Sequence, residues 1–135
     1  FDPAQYSSSI ISEVFAQQLV IRPNVLALAN KLLRAGLVTA ILSDTIDAHA
    51  KVLRDNGVYD TFSPVLLSYE IGIRKPAPEA FTYALRVLGI APDEAIFIDD
   101  RSENVEGAQT VGIHGLVFRG PQQLEQELRQ FIPNF

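Results

Sequence analysis

Three apolar runs of this sequence are followed by side chains that could hold charge. The run "VTAIL" leads into Ser43 and Asp44, and the run "AIFI" leads into Asp99 and Asp100. Between them, the loop "YEIGIRKPAP" follows the run "PVLLS" and carries Lys75. Two adjacent carboxylates repel each other unless a positive charge lies close by. A lysine and a hydroxyl can hold phosphate oxygens and carboxylates are good ligands for Mg²⁺, so the set suits an oxyanion together with a divalent cation.

Each of these residues also has a purely structural explanation when it is taken alone. Ser43 could satisfy the backbone of a loop, and Lys75 could be an ordinary solvated lysine on the surface. Asp99 and Asp100 could cap the helix that is predicted to begin at Ser102. The functional interpretation therefore depends on the order and spacing of the residues together.

Short apolar strands alternate with amphipathic helices along most of the chain, and this order predicts an α/β fold. Such an order is typical of a parallel sheet covered on both faces, here a Rossmann-like three-layer αβα sandwich. In sheets of this kind ligands bind beyond the carboxyl ends of the strands, which is where Ser43, Lys75 and Asp99 are expected to meet. The apolar spacing predicts helices in "NVLALANKLLRAG", "DAHAKVLRDNG", "APEAFTYALRVLG", "SENVEGAQTVG" and "QQLEQELRQFI", and strands in "LVTAIL", "PVLLS", "AIFI" and "HGLVF".

The composition is typical of one globular domain and argues against several other classes of protein. The chain has 135 residues, 47% of them hydrophobic, and a net charge of -5, which disfavours a nucleic-acid surface. It contains no cysteine, no signal-peptide pattern and no apolar run long enough for a membrane span. A cytoplasmic location is the default expectation.

The beginning of the sequence differs from the rest. The chain contains no methionine and begins at Phe1, so we expect it to be a piece of a longer protein. The segment "SSSIISEVFAQQLVI" has the pattern of a helix and is not predicted to contain a strand.

Three motifs in a fixed order resemble those of the haloacid dehalogenase-like hydrolases, a large group of mostly Mg²⁺-dependent phosphatases. The second motif of that family is an apolar strand ending in Ser or Thr, and here "VTAILSD" reaches Ser43. The third centres on a lysine, and "GIRKPAPEAF" matches it from Gly72 to Phe81. The fourth ends in acidic residues with an acid or Asn four residues later, and "IFIDDRSEN" supplies Asp100 and Asn104. The resemblance covers residues 23–120.

The resemblance implies a role for each matching residue in the hydrolysis of a small phosphomonoester. Ser43 and Lys75 would be the catalytic residues of this chain and, with Asp44, would bind the phosphoryl group. Because Lys75 lies in a loop braced by prolines, we expect its replacement by alanine to weaken phosphate binding without unfolding the protein.

The resemblance also implies which residues would bind the metal ion. Asp100 would coordinate Mg²⁺, with help from Asp99. Asn104 would lie behind them and orient Lys75 or a metal-bound water.

The family's first motif, a strand ending in D-x-D, does not occur in these 135 residues. In the family its first aspartate is the nucleophile that forms an aspartyl-phosphate, so we expect the nucleophile to lie upstream of Phe1. Residues 1–22 would then be the remnant of a small helical cap, and residues 23–135 a core domain that lacks its central first strand. Another chain or segment could complete the sheet, and this chain alone is not expected to hydrolyse phosphate esters.

Other functions remain open at this point. The chain could be a non-catalytic protein that binds a phosphorylated ligand or a partner in the same pocket. A receiver-type signalling domain is disfavoured because its acid pair precedes its lysine, and dehalogenation is disfavoured because an acid pair indicates a metal. His49 and His114 are interpreted as structural or surface residues.

Overall fold

A parallel β-sheet flanked by helices forms the centre of the computed structural model, which describes residues 9–15 and 23–132. None of the helices within these ranges is both long and apolar enough to cross a membrane. In chain order the elements are β1 (Ser9–Ser12), α1 (Pro23–Arg34), β2 (Val38–Ser43), α2 (Asp47–Asp55), β3 (Val65–Leu67), α3 (Ser68–Ile71), α4 (Pro78–Leu88), a 3-10 turn (Pro92–Glu94), β4 (Ala95–Asp99), α5 (Ser102–Thr110), β5 (His114–Val117) and α6 (Pro121–Leu128).

The sheet has five strands in the order β3-β2-β1-β4-β5, and each neighbouring pair is parallel. This arrangement confirms the predicted α/β fold with a parallel sheet. All carboxyl ends of parallel strands face the same edge, so the residues after β1, β2 and β4 lie side by side. The register places Ser12 opposite Ile41 on one side and Ile98 on the other.

The central position of the sheet is filled by a segment of this chain, which corrects the sequence-based prediction. We expected Ser9–Ser12 to be helical and the central strand to be absent, and both expectations are wrong. Ile10 and Ile11 are fully buried and lie in separate cores on the two faces of the sheet. Two adjacent isoleucines that are both buried suit a central strand, because successive side chains of a strand point to opposite faces. Residues 1–8 and 16–22 of the expected cap remnant lie outside the described residues.

Helices cover both faces of the sheet and create two hydrophobic cores. One core joins Ile10 to apolar residues of α1 and α6, among them Leu32 and Leu124. The other joins Ile11 to Phe81 of α4 and to residues of α5. The predicted three-layer arrangement follows from these two cores, and together they hold the strands whose ends form the site.

Candidate functional site

Lys75 lies at the carboxyl edge of the sheet and joins the ends of three strands. Its Nζ donates to the Leu42 carbonyl oxygen at 2.8 Å and to Asp99 Oδ2 at 3.1 Å, and it lies 3.5 Å from Glu13 Oε1. The side chain is 0% exposed. A buried ammonium needs acceptors around it, and here each of three strands supplies one. This burial changes our expectation for Lys75→Ala, because removal of the ammonium would leave two buried carboxylates without their cation.

Asp99 ends β4 and is fully buried. Its Oδ2 accepts hydrogen bonds from Lys75 and from Asn104 Nδ2, the latter at 3.0 Å, and its Oδ1 accepts one from the Arg101 backbone N–H at 2.9 Å. The sequence-predicted residues Lys75, Asp99 and Asn104 are thus brought into one hydrogen-bonded cluster. Among the described residues, Asn104 hydrogen-bonds Asp99, and Asp99 in turn hydrogen-bonds Lys75.

Asp100 is the exposed member of the acid pair. Partial burial raises the pKa of its carboxyl group, and the hydrogen bond and negative charge of Asp99 raise this pKa further. The two aspartates therefore lie in different environments, one enclosed by donors and the other open to solvent. A cation that approached the edge of the sheet would meet Asp100 first.

Ser43 and Asp44 follow β2 and lie next to the Lys75 loop. Asp44 Oδ1 accepts a hydrogen bond from the Lys75 backbone N–H at 3.1 Å, which ties the loop to the end of β2. The Asp44 backbone N–H donates a hydrogen bond to Glu13 Oε1 at 3.3 Å, and Ser43 lowers the pKa of the Glu13 carboxyl group. The two residues predicted to bind phosphate thus both interact with one carboxylate of this chain.

Glu13 is the site residue that sequence analysis missed. It follows β1, and its backbone N–H continues the strand pairing by donating to the Ile98 carbonyl oxygen at 3.1 Å. The residue is 4% exposed, and Oε2 has no hydrogen-bond partner among the described residues. Burial raises the pKa of Glu13 to about 7, although Lys75 and Ser43 oppose the shift. An acid two residues after a pair of adjacent isoleucines was the available signal, although it is not part of a D-x-D motif.

Gly107 allows the Lys75 loop to lie close to α5. A Cβ at this position would lie 2.7 Å from the Pro76 carbonyl oxygen, which is closer than real Cβ atoms approach backbone. The glycine in the middle of a helical pattern was a usable signal, since such glycines often mark a close approach. Gly107 is therefore a positioning residue for Lys75.

An open cavity of about 350 Å³ adjoins the site between the loops that follow β2 and β3. Ser68 joins these loops, because its hydroxyl accepts a hydrogen bond from the Thr45 N–H and donates one to the Thr45 carbonyl oxygen. His49 lines this cavity, nearer to the site than the sequence suggested. His114 begins β5, contacts the Asp93 carbonyl oxygen at 3.1 Å and packs against Phe131.

Comparison with known protein families identifies the family of this chain. The profile described as "Hydrolase: haloacid dehalogenase-like hydrolase" matches residues 6–112. The chain belongs to the haloacid dehalogenase-like hydrolases. The resemblance inferred from the three motifs is thereby confirmed.

Several phosphatases are similar to this chain. A glyceraldehyde 3-phosphate phosphatase of Methanopyrus kandleri is 31% identical over 116 residues, which cover 84% of this chain and 48% of that protein. A phosphoserine phosphatase of Thermus thermophilus is 38% identical over 85 residues, covering 62% of this chain and 34% of that protein. The chain thus spans between a third and a half of the length of these two relatives.

Solved structures show the same fold. A haloacid dehalogenase-like enzyme of Bacteroides thetaiotaomicron, crystallised with magnesium and inorganic phosphate, has a TM-score of 0.63 and 38% identity over 68% of this chain and 50% of its own. An uncharacterised protein of Corynebacterium glutamicum has a TM-score of 0.76 and covers 92% of this chain, but at 23% identity it shows the fold alone.

Proposed function

We propose that this chain carries the phosphoryl-binding site of a Mg²⁺-dependent phosphatase that acts on small phosphomonoesters. The observation that carries the proposal is the buried Lys75 ammonium, which shares one edge of the sheet with the Ser43 hydroxyl and the Asp44 N–H. The Lys75 ammonium and the Asp44 N–H converge on a single carboxylate oxygen, Glu13 Oε1, so they can converge on an oxyanion. Ser43, Asp44 and Lys75 would hold the oxygens of the phosphoryl group.

The acidic residues of the edge fit a magnesium ion that is shared with substrate. Within the described ranges no three acidic or histidine side chains are grouped as a complete metal cage. Mg²⁺ does not need one, because it is usually bound by one or two carboxylates together with substrate phosphates and waters. Asp100 offers an exposed carboxylate, and partial burial together with the neighbouring Asp99 raises its pKa.

Each residue of the site has a separate role in this proposal. Asp100 would hold Mg²⁺, which supplies charge neutralisation of the phosphoryl oxygens when it is bound. Asp99, fixed by Asn104, would orient Lys75 through the 3.1 Å contact between Asp99 Oδ2 and Lys75 Nζ. The similar phosphatases are named for glyceraldehyde 3-phosphate and phosphoserine, and these names support a small phosphorylated substrate.

A second candidate function is the binding of a phosphorylated ligand without hydrolysis. The observation that favours it is the end of β1, where Glu13 is followed two residues later by Phe15. Phe15 is fully buried, and its ring lies 6.0 Å from that of Phe62 in a stacked arrangement. A phenyl ring cannot transfer protons, so the end of β1 offers one carboxylate instead of the two in the family's D-x-D motif.

Calorimetry with Mg²⁺ in the presence of inorganic phosphate tests the phosphoryl and metal sites. We expect Asp100→Asn to lower the affinity for Mg²⁺ by roughly tenfold or more, as the loss of a metal-binding group does. The matched control is Asp93→Asn, which removes an exposed carboxylate from the 3-10 turn. Equal affinities in the two variants would contradict the assignment of Asp100.

A turnover assay can exclude the second candidate function. With Mg²⁺ and a generic aryl phosphate we expect phosphate binding but no hydrolysis by the 135-residue chain, because it lacks D-x-D. Hydrolysis that EDTA and Asp100→Asn both abolish would favour the phosphatase outright and exclude the binding-only function.

A further inference from the structure

Two donors that we assign to the phosphoryl group are engaged by Glu13. Oε1 of Glu13 accepts a hydrogen bond from the Asp44 N–H at 3.3 Å and lies 3.5 Å from Lys75 Nζ. Ser43, which precedes Asp44 in the chain, lowers the pKa of the same carboxyl group. A carboxylate oxygen thus stands where an oxygen of a ligand would be bound.

We infer that Glu13 is an internal occupant of the anion site, and that a phosphoryl ligand binds only by displacing its carboxyl group. The inference rests on the proposed phosphoryl-binding function and adds a residue that controls affinity for the ligand. It makes Glu13 a specificity-determining residue.

The contacts of Lys75 show why ligand and Glu13 exclude each other. An ammonium has three N–H donors, and three acceptors surround Lys75 Nζ: the Leu42 carbonyl, Asp99 and Glu13. Since the Lys75 side chain is fully buried, an external anion reaches it only if one acceptor leaves. The Leu42 carbonyl is fixed in β2, and Asp99 is held by two further donors. Glu13 is the acceptor that can leave.

The other atoms of Glu13 are consistent with a side chain that can move. Its backbone N–H is fixed to Ile98, but Oε2 makes no hydrogen bond among the described residues. A buried carboxylate with an unsatisfied oxygen is held less firmly than one whose lone pairs are all used. Rotation of the side chain would therefore release the donors while β1 stays paired.

The arrangement also selects among ligands by charge. An external ligand with a single carboxylate has the same charge as Glu13 and must also lose its freedom of motion on binding, so it competes poorly for the same donors. A dianionic phosphoryl group carries twice the charge and can in addition bind a cation held by Asp100. The site should thus favour phosphomonoesters and inorganic phosphate over simple carboxylic acids.

Binding of inorganic phosphate to the 135-residue chain and its variants tests the inference. An occupant that fills the site in nine molecules of ten weakens the apparent affinity about tenfold, so we expect Glu13→Ala to bind phosphate roughly tenfold more tightly than the wild type. Glu13→Gln keeps the shape without the charge and should show a smaller gain. The control is Glu106→Gln, which removes the same charge from an exposed position of α5 and should bind like the wild type.

The outcomes separate this inference from the proposed function. Phosphate bound by the wild type and weakened by Ser43→Ala, but no more tightly bound by Glu13→Ala or Glu13→Gln, would overturn the inference and leave the proposed function standing. No phosphate binding by any folded variant would overturn both. Thermal melting establishes which variants are folded. If Glu13→Ala is not folded, phosphate binding by Glu13→Gln decides whether the inference holds.

Discussion

Two buried carboxylates at neighbouring strand ends, Asp99 and Glu13, share the Lys75 ammonium but differ in everything else around them. Asp99 is 0% exposed and accepts hydrogen bonds on both oxygens, from Lys75, Asn104 and the Arg101 N–H. Glu13 is 4% exposed, and one of its oxygens has no partner among the described residues. Its pKa is raised to about 7, chiefly by burial.

The difference shows that the hydrogen-bond partners of a buried carboxylate determine how firmly it is held more than its degree of burial does. Desolvation disfavours the charged form, and hydrogen bonds to that form offset the effect. Asp99 has such bonds on both sides, so it is a fixed part of the site. Glu13 has contacts on Oε1 only, so we expect its carboxyl group to be the one that takes up a proton or is displaced by a ligand.

The largest effect is expected when the shared cation is removed. Lys75→Met leaves two buried carboxylates unpaired, and we expect it to lower the free energy of unfolding by roughly 3–5 kcal/mol in urea titrations at pH 7. The control, Lys51→Met, removes an exposed lysine that pairs with Asp55, and should change stability little.

A double-mutant cycle shows which carboxylate causes the loss. Combining Lys75→Met with Glu13→Gln should recover part of the stability, because only Asp99 then remains unpaired. Full additivity of the two changes would mean that Lys75 and Glu13 do not interact.

A smaller effect, of roughly 2–3 kcal/mol, is expected from the pH dependence of Glu13. Its pKa rises from the usual 4.5 to about 7 on folding, so the stability it contributes is present below pH 4.5 and is lost as pH rises through about 7. Glu13→Gln cannot titrate, and its stability relative to the wild type should therefore increase between pH 5 and pH 8. Urea titrations at both values measure this, and a difference that does not change with pH would show that the Glu13 pKa is not raised.

The smallest effect is expected when Asn104, which donates to Asp99 but not to Glu13, is replaced. Asn104→Ala removes the 3.0 Å hydrogen bond to Asp99 Oδ2 and should lower the free energy of unfolding by roughly 1.5 kcal/mol. The loss should be similar in the wild type and in Glu13→Gln, because Asn104 acts on Asp99. If Asn104→Ala is as stable as the wild type, the contacts with Lys75 and the Arg101 N–H are enough to satisfy Asp99.

The sequence allowed much of the site to be predicted because its spacing follows from simple geometry. Ser43 and Asp99 end apolar runs that are predicted to be strands of a parallel sheet, and such strands end at one edge. Lys75 was placed there by its motif, and Asn104 by its distance along the chain from Asp100. The structure brings Lys75, Asp99 and Asn104 together, while their chemical roles stay predictions.

The sequence by itself determined the alternation of strands and helices, and with it the edge at which the charged residues meet. It did not determine the central strand, because apolar residues at positions 10, 11, 14 and 15 fit a helix as well as a strand. Only the tertiary structure decided between them: β2 and β4 each offer an unpaired backbone edge, and Ser9–Ser12 satisfies both. The same pairing carries Glu13 to Lys75, a contact between residues 62 positions apart that no local pattern encodes.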